Sequence, residues 1–251
     1  ARELTPQAAK QAGLHDVTLL EEPQAALYAW IESVGDAFRK TVKVGDVVLV
    51  VDVGGGTSDF SLIAVTEQDG DLQLTRMAVG DHILLGGDNM DLTLAHHLAQ
   101  GKNLDPWQFA TLTYGCRQAK ELLFADLKLK KAPISIPSRG SALVGGTIKI
   151  ELTREDVMGV LIDGFMPRVS VTDLPRTARR TGLTQVGLPY AQDPGITRHL
   201  AAFLTRQSRM AEGKSFVHPT AILFNGGVFK ARALKERVTE VLNEWLANDS
   251  G

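Results

Sequence analysis

The chain has 251 residues, 44% hydrophobic and 22% charged, which is enough to bury a sizeable core and is not the composition of a disordered chain. Its net charge of −2 argues against a duplex-binding face, and the one dense basic cluster, Arg176, Arg179 and Arg180, has no interleaved aromatics and reads as solvated surface. A single cysteine, Cys116, excludes an internal disulfide and fits a cytoplasmic protein, and no apolar run approaches the length of a membrane span.

The chain opens on Ala1 and runs straight into a predicted helix over 5–12, stopped at Gly13, as an excised fragment would. A short strand is expected at 17–20. Pro23 then starts a helix over 23–38 at its favoured first position. Residues 46–52 form a β-branched run that reads as a strand buried on both faces, ending in Gly54, Gly55, Gly56 and Thr57. A second strand resumes at Phe60, turns at Asp69-Gly70, and returns over 72–79, which gives three antiparallel strands in a row.

Helices are predicted over 88–100 and 106–124, followed by a hairpin of 132–137 and 144–152 joined through Arg139-Gly140-Ser141. Thr153 with Asp156 three residues on resembles a capping box and opens a helix to about 165. Residues 167–195 are irregular and rich in Pro, Gly and Arg; a helix restarts at Asp193-Pro194 and runs to about 210. The last unit is a strand over 221–224, the turn Asn225-Gly226-Gly227, and a helix over 229–246 whose Leu234, Val238, Val241, Leu242 and Trp245 read as a core face. Cys116 reads as a buried thiol, and Trp107, Tyr190 and Trp245 as packing residues. Asp88, Asp91, His96 and His97 lack the spacing of a metal site, because adjacent histidines diverge by about 100° on a helix.

The chemistry concentrates after the first long strand. Asp52 lies at a strand's carboxyl end, where α/β sheets place ligands. Three consecutive glycines let bare N–H groups approach an anion, and Thr57 adds a hydroxyl. Asp52 and Asp59 are hard carboxylates suited to Mg²⁺, directly or through its waters. The plainer alternative is a tight hairpin capped by aspartates. Other glycine motifs fail: a dinucleotide fingerprint must open a helix, and Ser208 to Ser215 lacks the first glycine of a P-loop.

The segment Val51-Asp52-Val53-Gly54-Gly55-Gly56-Thr57-Ser58-Asp59 resembles the second phosphate loop of actin-like ATPases, and among them of Hsp70 chaperones. Four further segments resemble the family in order: Glu21-Glu22-Pro23-Gln24-Ala25-Ala26, Gly86-Gly87-Asp88-Asn89-Met90-Asp91, Ala119-Lys120, and Leu223-Phe224-Asn225-Gly226-Gly227. The resemblance implies an actin-like (ribonuclease H-like) α/β core over 40–86 and 163–251. A smaller α+β subdomain over 87–162 would be inserted in it, and 1–39 would be the tail of a first lobe with its crossing helix. It implies ATP or ADP with Mg²⁺ as ligands. Glu22 would position the metal's water shell, Asp52 would orient the attacking water and serve the metal with Glu22, Thr57 would meet the γ-phosphate, and Asp59 would join the catalytic carboxylates. Gly54, Gly55 and Gly56 would hold phosphate oxygens, while Lys120, Gly226, Gly227 and Lys230 would line the nucleoside pocket.

The resemblance also implies partners. These are an N-terminal lobe and a C-terminal substrate-binding domain of the same protein, a J-domain co-chaperone, a nucleotide exchange factor and unfolded clients. Without the first lobe's phosphate loop and lysine, the chain alone is expected to bind nucleotide weakly and turn over negligibly. Around Lys120 the sequence departs from the family pattern: Arg117, Glu121 and Phe124 stand where the family has Glu, Arg and Ser, and Val228 and Lys230 where it has Ser and Arg. An extra residue falls within 81–85, and 167–218 is longer than its counterpart. These departures leave open a regulatory or scaffolding relative that binds nucleotide without efficient turnover, and a sugar or metabolite kinase on the same core.

Overall fold

The run of valines and leucine before Asp52 forms β1 (Val47–Val53), the centre of a four-stranded sheet. The structure is a computed structural model that describes residues 4–20, 22–35, 38–138, 146–176, 191–211 and 213–249. β1 pairs antiparallel with β2 (Ser58–Gln68), which pairs antiparallel with β3 (Asp71–Val79) through a turn at Asp69 and Gly70. The expected meander is therefore present. Its other neighbour, β6 (Ala221–Asn225), joins β1 in parallel from the far end of the chain.

Both faces of β1 are covered, by different cores. Leu49, Val51 and Val53 belong to the main core with Phe60, Leu94, Leu123, Phe203 and Leu234. Val48 and Val50 face a smaller core built on Leu27 and Val42, which belong to α2 (Glu22–Val34) and the turn after α3 (Phe38–Thr41). Asp52 and Asp59, opposite each other across β1 and β2, have the strand parity of this second face.

Several boundaries differ from expectation. Residues 17–20 form no strand, since an apolar run has nothing to pair with there among the described residues. The first helix is α1 (Leu4–Gln11), and α2 stops at Val34 because Gly35 takes φ +54. The hairpin is β4 (Lys131–Pro137) with β5 (Thr147–Thr153); its connection through Arg139, Gly140 and Ser141, like Tyr190, Arg179, Arg180 and Glu21, lies outside the described residues.

Helices α4 (Gly87–Ala99) and α5 (Pro106–Ala125) pack on one another, and α5 packs on β4. Ala132, Ile134 and Ile136 alternate inward, so an otherwise marginal two-stranded hairpin is held by the core behind it. The capping box at Thr153 and Asp156 forms, opening α6 (Arg154–Val157). A π-helical turn, Met158–Asp163, follows instead of continuous α-helix, since apolar spacing over six residues does not separate the two helical periods. The Arg154 guanidinium donates to the carbonyls of Leu123, Asp126 and Leu129 and so caps the end of α5.

Asp193 does not start the next helix. It is buried and binds Arg198, and α7 (Ile196–Arg206) begins after it, with a 3₁₀ turn at Ser208–Met210. The final turn is 3₁₀ over Gly227–Lys230, and α8 (Arg232–Asp249) outlasts the expected helix. Trp245 is buried and donates its indole N–H to Val169, whereas Trp107 is 44% exposed and is not a core residue. Cys116 is fully buried, and burial pushes its thiol up to about 12, which leaves it inert.

Candidate functional site

A cleft of about 370 Å³ opens where the glycine turn after β1 meets α4, α5 and the start of α8. Gly54 and Gly55 form one edge, Gly87 and Asp88 the next, Arg117, Lys120, Glu121 and Phe124 a wall, and Gly227, Val228 and Lys230 the opposite side. The four α5 residues recur at i, i+3, i+4 and i+7, one helical face directed at the cleft.

The glycine turn is fastened from behind. The Gly54 N–H donates to the Thr57 carbonyl at 2.9 Å, while the carbonyls of Gly54 and Gly55 accept from the N–H groups of Gly87 (2.9 Å) and Asp88 (2.7 Å). A β-carbon on Gly86 would stand 2.6 Å from the Gly55 oxygen and 2.7 Å from that of Gly54, so only glycine lets α4 dock this closely. Ser58 adds a bond from its hydroxyl to the Leu85 carbonyl at 2.7 Å. With the turn's carbonyls committed to α4, no backbone carbonyl among the described residues takes the N–H of Gly55, Gly56 or Thr57. Gly55 and Gly56 are exposed. Successive free N–H groups at an open turn are an anion cradle.

The second glycine loop closes against the first. Gly226 has φ +87, and a β-carbon there would lie 2.2 Å from the Val53 carbonyl oxygen and 2.7 Å from Asp52 Oδ1. Asn225 Nδ2 donates to Asp52 Oδ2 at 2.8 Å, across 173 residues of sequence. Asp52 is therefore tied to the start of the last helical unit.

The expected site residues divide into two groups. Gly54, Gly55, Lys120, Gly227 and Lys230 line the cleft; Gly56 and Gly226 do not, and Gly226 packs against Val53 and Asp52. Glu22, Asp52, Thr57 and Asp59 do not line it. Asp52 and Asp59 lie on the sheet face toward α2, Glu22 is exposed in the first turn of α2, and Asp59 Oδ1 accepts from His82 Nδ1 at 2.7 Å. The glycine turn is where the two groups meet.

Lys120 is not free in the cleft. Its ammonium sits 2.5 Å from Asp91, and both side chains are buried. Burial raises the Asp91 carboxyl above its ordinary range, against the opposing pull of Lys120. Sequence reasoning did not single out Asp91 or Asp88 as site residues, although both sit in the Gly86-Gly87 segment already noted; helix-face periodicity from Gly87 would have placed Asp91 one turn in. His96 and His97 have other work: His96 stacks on Phe109, and His97 Nε2 lies 2.9 Å from Asp156.

The family model for the Hsp70 protein matches residues 1–169. The chain belongs to the Hsp70 family. Membership brings the actin-like ATPase fold, with which the mixed sheet and its flanking helices agree. Hsp70 proteins are ATPases that bind ATP or ADP with Mg²⁺. The open N–H groups of the glycine turn fit the phosphates of such a ligand. Asp52 and Asp59 face each other across β1 and β2 as hard carboxylates that suit a hydrated magnesium ion, while no cluster of three metal-holding side chains occurs among the described residues.

Proposed function

We propose that this chain is the nucleotide-holding second lobe of an Hsp70 ATPase, acting within a larger cytoplasmic protein whose peptide affinity follows its nucleotide state. The observation that carries the reading is the convergence of Gly54 and Gly55, from a glycine turn with open N–H groups, with a helix face and a second glycine loop on one cleft. Residues 40–86 and 163–251 serve as the lobe's core and 87–162 as an inserted subdomain, with 1–39 leading from a first lobe.

In this reading the N–H groups of Gly55 and Gly56 bind phosphate oxygens, and the Thr57 hydroxyl meets the terminal phosphate. Asp52 orients the attacking water, held in place by Asn225. Glu22 and Asp59 support the metal's water shell. Mg²⁺, when bound, neutralises the charge that develops on the phosphates. The N-terminal lobe completes the cradle from the side of Asp52 and Asp59, and a substrate-binding domain, a J-domain co-chaperone, an exchange factor and unfolded clients are the partners.

A second reading has a specific observation in its favour. Arg117 and Glu121 are held to each other and Lys120 to Asp91, so the cleft's cations are largely neutralised. A nucleotide-sensing scaffold with slow turnover would tolerate this. ATP turnover of the full-length protein, with and without an unfolded peptide, separates the two. Stimulation by peptide that Asp52→Asn and Thr57→Ala abolish supports the chaperone; binding without turnover supports the scaffold; unchanged turnover in both mutants sinks the site.

A further inference from the structure

Asp52 and Asp59 stand opposite each other on β1 and β2 and share one face of the sheet. Cross-strand neighbours have β-carbons about 5 Å apart, and like charges there repel. Each carboxylate is held by one donor from another part of the chain. Asn225 Nδ2 donates to Asp52 Oδ2 at 2.8 Å, and His82 Nδ1 donates to Asp59 Oδ1 at 2.7 Å. An ionised carboxylate can only accept, so the Nδ1 atom of His82 carries a proton. Among the described residues, the His82 ring is the hydrogen-bond partner of the Asp59 side chain.

Main-chain bonds, more than packing, put His82 in place. It belongs to the stretch between β3 and α4, which is laced to β2. The Gly80 N–H donates to the Phe60 carbonyl at 2.8 Å, and Ser58 and Ile83 exchange two bonds at 2.9 and 3.2 Å. The same stretch ends at Gly87 and Asp88, whose N–H groups hold the carbonyls of Gly54 and Gly55. Its other charged side chain ahead of α4, Asp81, is occupied by Arg206 at 2.7 Å. One short run of backbone therefore carries both the fastening of the glycine turn and the donor on Asp59. The His82 side chain is 64% exposed and that of Asp59 32%, and an ion pair so exposed adds little to folding. Its effect is geometric: it fixes one carboxylate beside another of the same sign, which would otherwise turn away.

From this we infer that His82 is a positioning residue of the nucleotide site, whose Nδ1–H holds Asp59 facing Asp52 so that both carboxylates meet the water shell of magnesium already oriented. The inference rests on the nucleotide reading above, which gives Asp52 and Asp59 to that shell, and adds the group that orients one of them. Donors behind the carboxylates and imidazoles of a metal site change metal affinity by about 10–100-fold when removed. His82 acts through Asp59 and is not itself catalytic.

Calorimetric titration of the full-length protein with ADP across a series of Mg²⁺ concentrations tests it. His82→Ala should raise the Mg²⁺ needed for half-maximal ADP affinity by roughly tenfold and leave ADP binding in EDTA as it is. Its unfolding temperature should stay within about 3 °C of the wild type, because the pair is exposed. His82→Asn, whose amide nitrogen can stand where Nδ1 stands, should restore the Mg²⁺ requirement. Adding His82→Ala to Asp59→Asn should change nothing further. In the metal-free protein, ¹⁵N NMR of the imidazole should show the His82 ring protonated at Nδ1. A wild-type Mg²⁺ requirement in His82→Ala, no restoration by His82→Asn, additive effects in the double variant, or a ring protonated at Nε2 alone overturns the inference. Each of these leaves the nucleotide reading standing as long as Asp59→Asn by itself raises the Mg²⁺ requirement. An unchanged requirement in Asp59→Asn removes Asp59 from the metal's shell, and the inference falls with it.

Discussion

Lys120 reaches from α5 to Asp91 on α4 and closes an ion pair of 2.5 Å beneath the cleft, with 11% and 7% of the two side chains exposed. Two charges withdrawn from water hold each other in place, and removal of either strands the other. Asp91→Asn should therefore cost about 3 kcal/mol, a fall in Tm of roughly 6–12 °C for a chain of this size. The double change Asp91→Leu with Lys120→Met should recover most of that loss, because no charge is then buried alone. Thermal melts of the wild type and the two variants decide it; a double variant no more stable than Asp91→Asn would mean the pair is not the unit of stability.

The Gly226 backbone lies against Val53 and Asp52 with no room for a methyl group. Gly226→Ala imposes both a left-handed φ and a collision with a main-chain oxygen. We expect a loss of about 2–3 kcal/mol in urea unfolding, together with weakened ADP binding as the loop is pushed from Asp52. Wild-type stability and affinity in this variant would show that the two glycine loops are not in contact in solution.

Asp88 places a carboxylate 3.5 Å from where a Gly55 β-carbon would stand, beside the anion cradle. A phosphate there meets this negative charge unless a cation intervenes. Asp88→Asn should tighten ADP binding in EDTA by about three- to tenfold and change Mg-ADP binding much less, so that dependence on magnesium shrinks. Equal shifts with and without the metal would remove Asp88 from any role toward the cation.

Asp193 is buried and accepts from Arg198 twice, from the Gly195 N–H and from the Arg176 N–H. Burial pushes its carboxyl up, but the Arg198 guanidinium and the two N–H groups outweigh this and hold it well below the usual carboxylate range. A depressed folded-state value stabilises the fold above the ordinary 3.8 and is lost as pH falls below it. Wild-type stability should therefore drop steeply below pH 3.8, whereas Asp193→Asn should start lower at neutral pH, by about 3 kcal/mol, and fall less in acid. Parallel acid profiles would contradict the assignment.

The signals that were readable in the sequence are local ones. β-branched density gave β1, Asp69-Gly70 gave the hairpin, and the Thr153 and Asp156 spacing gave the capping box, because each depends on dihedral preferences and hydrogen bonds within a few residues. Where the outcome depended on partners the same signals misled. Residues 17–20 had strand composition without a strand to pair with, and Asp193-Pro194 had the look of a helix start while the carboxylate was committed to Arg198. Family membership was legible for the same reason as the glycine turn: the segments that carry it are contiguous in sequence.

By itself, the sequence determined that the chain belongs among actin-like ATPases and that a glycine turn follows a buried strand. Only the tertiary structure decided how the candidate site residues are divided. Strand parity sends Asp52 and Asp59 to the α2 face while the cleft opens toward the main core, β6 arrives beside β1 to bring Asn225 to Asp52, and Lys120 is spent on Asp91. Those choices belong to packing: they pair groups far apart in the chain, and their energies come from burying apolar faces and compensating buried charge, which no short segment can fix alone.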